Sequence, residues 1–314
     1  MAKLSRTVLL IASLCVVAPA WADDRDDCTL ARALSLSGAV PENLAAACRR
    51  LADRGIALGE HGVGLLYEHG RGVAQDYAEA ARWYRKAADQ AYADAEYSLG
   101  SLYEDGHGVP QSYFDAVTWY QKAADHGNSL GTFSITITSL WIGYMYERGD
   151  RVAQDYAEAS KWFRKADAWP DAQRELARLY FNGLGVAQNH VEAARWYRKA
   201  ASQGDFFSQF YLGDMYANGQ GFPPDYAEAA IWYRKSADRN YSPAERSLGL
   251  LYLNGQGVGQ DLVQAYLWLS LAAVQGDADA AKARDTAAAR MTPAQIEKAK
   301  ALVADWGKPV THKQ

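Results

Sequence analysis

Apolar residues recur along this chain at the spacing of an amphipathic helix. After Asp76 the apolar positions are Ala80, Trp83, Tyr84, Ala87 and Ala88. This i, i+3, i+4, i+7, i+8 spacing places them on one helix face, with arginine and lysine on the other. A second apolar segment follows, in which leucine and tyrosine four residues apart flank a small residue, as in YSLGSLYEDGHGV from Tyr97. The pattern predicts an all-α chain built from helix pairs.

The helix pair is repeated, because a tryptophan returns at nearly constant intervals. Six tryptophans are separated by 36, 43, 34, 36 and 36 residues: Trp83, Trp119, Trp162, Trp196, Trp232 and Trp268. A period near 36 is typical of a solenoid, in which each unit buries its apolar face against its neighbours. Since these rings stand at helical spacing beside alanines, we interpret them as core residues rather than as a stacking platform for a ligand.

The predicted helices carry start and stop signals. Six junctions have the spacing of a capping box: Asp76 with Glu79, Ser112 with Asp115, Asp155 with Glu158, Asn189 with Glu192, Asp225 with Glu228, and Asp261 with Gln264. Five second helices end in two loop glycines, which suit a left-handed cap and a tight return of the chain: Gly70 and Gly72, Gly106 and Gly108, Gly183 and Gly185, Gly219 and Gly221, and Gly255 and Gly257. In the remaining repeat Arg151 replaces the second glycine, which predicts a distorted turn.

The repeated pattern AEAAxWYRKAAxQGxxxAxxxLGxxYxxGxGVxxD resembles the Sel1-like repeat, a relative of the tetratricopeptide repeat. Its L-G-x-x-Y element is matched at Leu99 to Tyr103, Leu212 to Tyr216 and Leu248 to Tyr252. The resemblance covers roughly residues 42–290. It implies a right-handed α-solenoid of about six helix-pair repeats with N- and C-terminal capping helices, and it implies an adaptor or regulator that acts through protein contacts.

The N-terminus has the features of a secretory signal peptide. Lys3 and Arg6 precede an apolar stretch, and Ala20-Trp21-Ala22 supplies an A-x-A cleavage site. We therefore expect cleavage after Ala22 and a periplasmic or secreted protein. Leu14 before Cys15 makes a poor lipobox, and no later segment is apolar enough to anchor the mature chain, so we expect no membrane anchor.

The remaining boundaries follow from the repeat pattern. We predict a signal peptide at residues 1–22, an N-terminal capping segment at 23–41, the repeat solenoid at 42–290, a C-terminal capping helix at 291–306 and a disordered tail at 307–314. Cys28 and Cys48 lie 20 residues apart near the predicted N-terminal cap. Because export permits oxidation, a disulfide between them is favoured over two buried free thiols.

Residues 131–138 interrupt the period with extra sequence. Seven added residues are almost two helical turns, so an elongated helix would keep its phase. The β-branched residues Thr132, Ile135, Thr136, Ile137 and Thr138 instead favour an extended or bulged segment. Such a segment could be a contact loop or a tolerated surface insertion, and the sequence does not decide between them.

Several catalytic motifs are missing from this chain. It lacks S-x-x-K, K-T-G, H-E-x-x-H and G-x-x-x-x-G-K-[ST] patterns. The segment GNSLG, from Gly127 to Gly131, does match the spacing G-x-S-x-G. His61 and His69 lie eight residues apart, about 12 Å along a helix, too far to share a metal. Removal of residues 1–22 leaves a net charge of −6, which argues against nucleic acid as a partner. We predict no catalytic residue, metal or cofactor.

The resemblance implies a binding groove lined by the helices that carry L-G-x-x-Y. Carried onto this chain, the groove residues that favour binding are Arg174, Arg178, Phe181, Asn182, Phe207, Phe210, Asn218, Arg246 and Asn254. Arginine and aromatic residues are common hot spots, and asparagine can hold a peptide backbone. The set suits an extended acidic or C-terminal peptide.

These features together predict an exported adaptor or regulatory protein that binds a protein or peptide in the bacterial envelope. The alternative is a hydrolase of cell-wall material or β-lactams, which some cysteine-rich relatives of the family suggest. The missing S-x-x-K and K-T-G motifs argue against that alternative.

Overall fold

A computed structural model describes residues 24–29 and 41–306 of the chain. Residues 24–29 are helical, and fifteen further helices follow without a strand in the described ranges. They are α1 (Glu42–Asp53), α2 (Ala57–His69), α3 (Tyr77–Ala88), α4 (Ala93–Asp105), α5 (Tyr113–Asp125), α6 (Ser129–Arg148), α7 (Tyr156–Lys165), α8 (Pro170–Asn182), α9 (His190–Ser202), α10 (Phe206–Asn218), α11 (Tyr226–Ala237), α12 (Ser242–Asn254), α13 (Leu262–Val274), α14 (Ala278–Ala288) and α15 (Pro293–Asp305).

The helices pack as consecutive pairs. We call α1, α3, α5, α7, α9, α11 and α13 the A helices, and the even-numbered helices the B helices. In the first unit, residues 1–138, α2 packs on α3 and α4 packs on α5. In the second unit, residues 139–314, each of α8, α10 and α12 packs on the A helix before it and the A helix after it. The predicted all-α fold of helix pairs is confirmed.

A glycine on four of the B helices, α2, α4, α6 and α10, lets a ring of the next A helix approach. A Cβ atom added to Gly100 of α4 would lie 2.7 Å from the Tyr120 ring of α5. Gly213 of α10 has the same relation to Tyr233 of α11, at 2.6 Å. In these two repeats a larger side chain would push the helices apart, whereas α8 has Ala177 at the same position.

The repeating tryptophans fall into two groups. Trp119 and Trp196 are each 7% exposed, and Trp268 is fully buried against Trp306. The other three are half-buried: Trp83, Trp162 and Trp232. A lysine nitrogen lies over the ring in this second group, at 3.9 Å from the ring centroid for Lys86 and Trp83. Cation–π contacts are common to both groups, since Lys122 lies over Trp119 at 3.8 Å. The groups differ in burial, so the core interpretation describes the first group fully and the second only in part.

The predicted N-caps form at all six junctions, where the Asp, Ser or Asn side chain accepts a backbone N–H. Several of the acidic partners bind a neighbouring cation instead of the cap backbone. Glu79 accepts from Arg82 at 2.8 Å, and Glu192 accepts from Arg195. The complete capping box forms at the start of α15, between Thr292 and Gln295.

Four loops that follow B helices, those with Gly108, Gly185, Gly221 and Gly257, are tied to the preceding repeat. The first loop glycine is a left-handed cap, as at Gly183 with φ 68°. The second lies against the start of an A helix about one repeat earlier. A Cβ atom on Gly185 would lie 2.3 Å from the amide nitrogen of Ala157, and one on Gly257 would lie 2.2 Å from the carbonyl carbon of Tyr226. No side chain fits there.

Two predictions about the irregular repeat are wrong. Residues 131–138 are not extended or bulged, because α6 is one helix of 20 residues from Ser129 to Arg148. The β-branched side chains are accommodated because a threonine hydroxyl can bond within the helix, as Thr136 does to the Thr132 carbonyl at 3.1 Å. The turn is not distorted either, because Arg151 adopts φ 61°, close to the glycine value. Gln154 also makes the loop hydrogen bond to the Glu147 carbonyl at 2.8 Å that other repeats make.

Near the N-terminus of the described chain, a disulfide joins Cys28 to Cys48, with the two Cα atoms 4.7 Å apart. Leu51 and Val63 pack against it. The predicted signal peptide, most of the N-terminal capping segment and the predicted tail lie outside the described residues. Within the two described ranges, residues 24–29 and 41–306, no helix is both long enough and apolar enough to cross a membrane.

Candidate functional site

Neighbouring repeats are linked by a buried polar contact, which we call the rung. The fourth residue of a B helix bonds a residue 30 positions later, after the next A helix. The rungs are Glu60 with Gln90 at 2.7 Å, Glu96 with His126 at 2.7 Å, Gln173 with Gln203 at 2.9 Å, and Glu245 with Gln275 at 2.8 Å. These contacts satisfy polar groups that would otherwise be buried without a partner.

A second repeated contact, the tyrosine–acid lock, joins an A helix to the B helix before it. The tyrosine directly follows the repeat tryptophan, and the acid directly follows the tyrosine of L-G-x-x-Y. The first unit has two locks: Tyr84 donates to Glu68, and Tyr120 donates to Glu104 at 2.6 Å. Glu104 also accepts from Thr138 at 3.0 Å, so this carboxylate is held from two sides.

The second unit lacks this form of the lock. On α7, Phe163 occupies the position of the lock tyrosine. Glu147 therefore has no tyrosine hydroxyl there from which to accept a hydrogen bond. Phe181 takes the acid position before Tyr197. Tyr233 recovers a carboxylate by donating to Asp214, one turn earlier on α10, at 2.6 Å. The lock is therefore broken at the contact between α8 and α9.

A cavity of about 350 Å³ lies where the lock is broken. It is lined by Arg178, Phe181, Asn182, Tyr197, Tyr211, Asp214, Met215, Asn218 and Gln220. Four of these are predicted groove residues: Arg178, Phe181, Asn182 and Asn218. The other predicted residues lie outside the cavity lining: Arg174, Phe207, Phe210, Arg246 and Asn254. Tyr197, Met215 and Gln220 also line the cavity and were not among the predicted groove residues. The missing acid at position 181 is the sequence signal that points to Tyr197.

The tyrosines supply the aromatic surface of the cavity. Tyr197 and Tyr211 stack with their ring centroids 5.3 Å apart and an interplanar angle of 25°. Burial raises the pKa of Tyr197, so its hydroxyl stays protonated. That hydroxyl makes no hydrogen bond to any described residue, in contrast to the locked tyrosines. Tyr211 is 41% exposed, which leaves its ring accessible at the cavity mouth.

The arginines of the predicted groove are already paired. Arg174 contacts Asp171 at 2.5 Å, Asp205 at 2.7 Å and Glu175 at 3.6 Å. Arg178 contacts Glu175 at 2.8 Å and also pairs with Glu147. Arg246 contacts Asp277 at 2.9 Å. Because carboxylates of this chain occupy all three guanidinium groups, an incoming carboxylate would have to displace one of them.

The asparagines are positioned by the helix ends. Each lies on the last turn of a B helix, just before the left-handed glycine. Asn182 donates one amide N–H to the Arg178 carbonyl at 2.9 Å, and Asn218 does the same to the Asp214 carbonyl at 2.9 Å. An asparagine amide has a second N–H and an oxygen acceptor, which can hold a peptide backbone at the cavity mouth.

The histidines serve packing in the described structure. Buried His61 contacts the Ser98 hydroxyl at 3.1 Å, and His126 is part of a rung. Among residues 24–29 and 41–306, no group of three His, Cys, Asp or Glu side chains could hold a metal ion.

Comparison with known proteins gives the residue ranges of six repeats. The model of the Sel1 repeat family matches residues 45–92, 93–128, 140–166, 170–205, 207–241 and 242–277. The chain is similar to a protective antigen of uropathogenic Escherichia coli strains that displays an SLR fold, with 27% identity over 88% of this chain and 75% of that chain and a TM-score of 0.42. It is also similar to a Sel1 repeat protein from Oxalobacter formigenes, with 29% identity over 73% of this chain and 93% of that chain and a TM-score of 0.47. No curated protein matches the chain.

Proposed function

Because the chain belongs to the Sel1 repeat family, whose model matches more than half of its length, we propose that it is an exported adaptor or regulatory protein that binds a protein or peptide in the bacterial envelope. Sel1 repeat proteins generally mediate protein–protein interactions and are generally non-catalytic scaffolds. The proposal adds a binding site and a compartment to that general role.

The observation that carries the binding site is the cavity between α8, α9 and α10. It combines stacked aromatic rings with amide groups at its mouth, which is the mixture typical of a recognition site. The predicted groove residues Phe181, Asn182 and Asn218 meet there. An extended peptide could place one side chain in the cavity while its backbone meets the two asparagine amides.

The test of this site is affinity capture from a periplasmic extract of the source bacterium with purified variants. We expect the double variant Asn182→Ala and Asn218→Ala to lose a partner that the wild-type protein captures. The matched control is Asn254→Ala, because Asn254 has the same repeat position but does not line the cavity. Equal capture by the double variant and the wild type would place the contact surface elsewhere.

The proposed compartment rests on the signal-peptide features of residues 1–22. We expect the protein recovered from the periplasm or the medium to begin at Asp23 and to carry no lipid. An intact-mass spectrum measures both properties. Retention of residues 1–22, or the mass of a diacylglycerol group, would contradict the proposal.

A further inference from the structure

The charged groups at the cavity include more carboxylates than cations. Arg178 is the cation of the lining, and the carboxylates of Glu147 and Glu175 already pair with it. Arg246, whose charge also acts on Asp214, is paired with Asp277. Asp214 adds a further carboxylate in the cavity lining, where it accepts the Tyr233 hydroxyl and forms no ion pair with a described residue. A site with this balance favours a positively charged ligand over an acidic one.

The aromatic surface fits the same ligand. The ring faces of tyrosine attract an ammonium or guanidinium group, and the rings also cover the methylene stem of a long basic side chain. Tyr197 and Tyr211 supply those rings, and Phe181 and Met215 supply further apolar surface. Pockets for small ligands measure about 300 to 1,000 Å³, and a cavity of about 350 Å³ therefore suits a single long side chain.

We propose that the cavity between α8, α9 and α10 binds a lysine or arginine side chain of a protein partner, with Asp214 as the counter-ion and the Tyr197 and Tyr211 rings along the stem. This inference rests on the proposed peptide-binding function and specifies the chemistry of the partner. It reverses the acidic peptide expected from Arg174 and Arg178, because those arginines are held by carboxylates of this chain. The asparagines would hold the backbone on either side of the basic residue.

The test uses three fluorescent hexapeptides that differ at one central position, which is lysine, norleucine or glutamate in a Gly/Ser background. Norleucine keeps the apolar stem and removes the charge. We expect the lysine peptide to bind the wild-type protein at least about tenfold more tightly than the other two, with an affinity that falls as salt is added. Equal binding of lysine and norleucine, or tighter binding of glutamate, would overturn the proposal.

Two variants test the roles of the cavity residues. Asp214→Asn should abolish the preference for lysine over norleucine, and asparagine can still accept the Tyr233 hydroxyl, so the fold is retained. Tyr211→Leu should weaken the lysine peptide more than the norleucine peptide. The matched control is Asp171→Asn, which removes a half-exposed carboxylate at the other end of α8, outside the cavity lining. A lysine preference that survives in Asp214→Asn but not in Asp171→Asn would show that Asp214 is not the counter-ion.

The same variants separate this inference from the proposed function. If capture of the natural partner needs Asn182 and Asn218 but is unchanged in Asp214→Asn, the peptide-binding function stands and the basic-residue inference falls. If tetramethylammonium shifts the Tyr211 ring resonances while the lysine peptide does not, the cavity binds a small free cation and the inference of a protein partner is wrong.

Discussion

The two units are built from the same helix pair, but the tyrosine that follows the repeat tryptophan has different partners in them. In the first unit Tyr84 and Tyr120 are locked to glutamates of the preceding B helix. In the second unit Phe181 stands where the acid would be, so Tyr197 keeps its ring position but loses its partner. The comparison teaches that one substitution in a repeat can convert a structural contact into a candidate binding cavity while the helices keep their packing.

The largest loss of stability is expected from two tryptophan variants, which compare how tightly the two units are packed. Trp119 and Trp196 occupy the same repeat position in different units, and each is 7% exposed. Changing either one to alanine should lower the free energy of unfolding by about 3 to 5 kcal/mol, because a large ring is lost from a packed site.

Thermal melting measures that loss, and hydrogen exchange locates it. Exchange should rise mainly in the unit that carries the substitution. As a control, Trp232→Ala should cost less, because Trp232 is half-buried. An unchanged melting temperature in Trp196→Ala would contradict its assignment to the core and would mark the region around the cavity as loosely packed.

The disulfide should distinguish the two units, because both of its cysteines lie in the first. Loss of the bridge in the double variant Cys28→Ser and Cys48→Ser should destabilise the first unit by about 3 kcal/mol in the loop-entropy description. Hydrogen exchange in α8 to α12 should change little. Peptide mapping without reducing agent should find Cys28 joined to Cys48, and free, alkylatable thiols in the native protein would contradict the bridge.

The rungs differ in how their carboxylates are compensated. Glu96 faces a histidine, whereas Glu245 is 1% exposed and faces the neutral amide of Gln275. Burial raises the pKa of Glu245 to about 7. Because the folded pKa lies above the unfolded value, the second unit should lose stability as the pH rises from about 5 through 7, by on the order of 2 kcal/mol.

The variant Glu245→Gln should remove that part of the pH dependence and stabilise the protein above pH 7. The amide should fit, since Gln173 already occupies the same rung position in another repeat. Denaturant unfolding at pH 5 and pH 8 measures the difference. Glu297→Gln, which changes an exposed side chain, is the control. An identical pH slope in the wild type and Glu245→Gln would show that Glu245 does not titrate in this range.

A comparison of two tyrosines tests the lock itself, and one of the two variants has the smallest effect expected. Tyr120→Phe removes a hydroxyl that donates to a carboxylate, and should cost about 1.5 to 3 kcal/mol. Tyr197→Phe removes a hydroxyl without a partner among the described residues, and should change stability by less than about 0.5 kcal/mol. Urea unfolding of both variants gives the comparison. Equal losses of stability in the two variants would contradict the unpaired Tyr197 hydroxyl.

The sequence predicted the helix pairs because their apolar spacing, N-cap residues and loop glycines are local signals. The helical form of residues 131–138 was harder to predict, since β-branched composition and helical phase favoured different answers. The pairing of the arginines could not be read locally. Arg174 meets Asp205, and Arg178 meets Glu147, across about one repeat of sequence. Only the packing of successive helices shows that these distant charges meet.

The loop glycines also constrain how such a chain can change in length. Gly185 and Gly257 each touch the start of an A helix in the preceding repeat, so each loop must meet a particular backbone segment. A deletion that removed part of a repeat would bring a side chain to a place where only glycine fits. Loss or duplication of a whole repeat preserves each contact between a loop glycine and the start of an A helix. Genes for proteins of this kind should therefore grow and shrink in whole-repeat steps, and a newly copied repeat can then change a single contact, as at Phe181, without disturbing its neighbours.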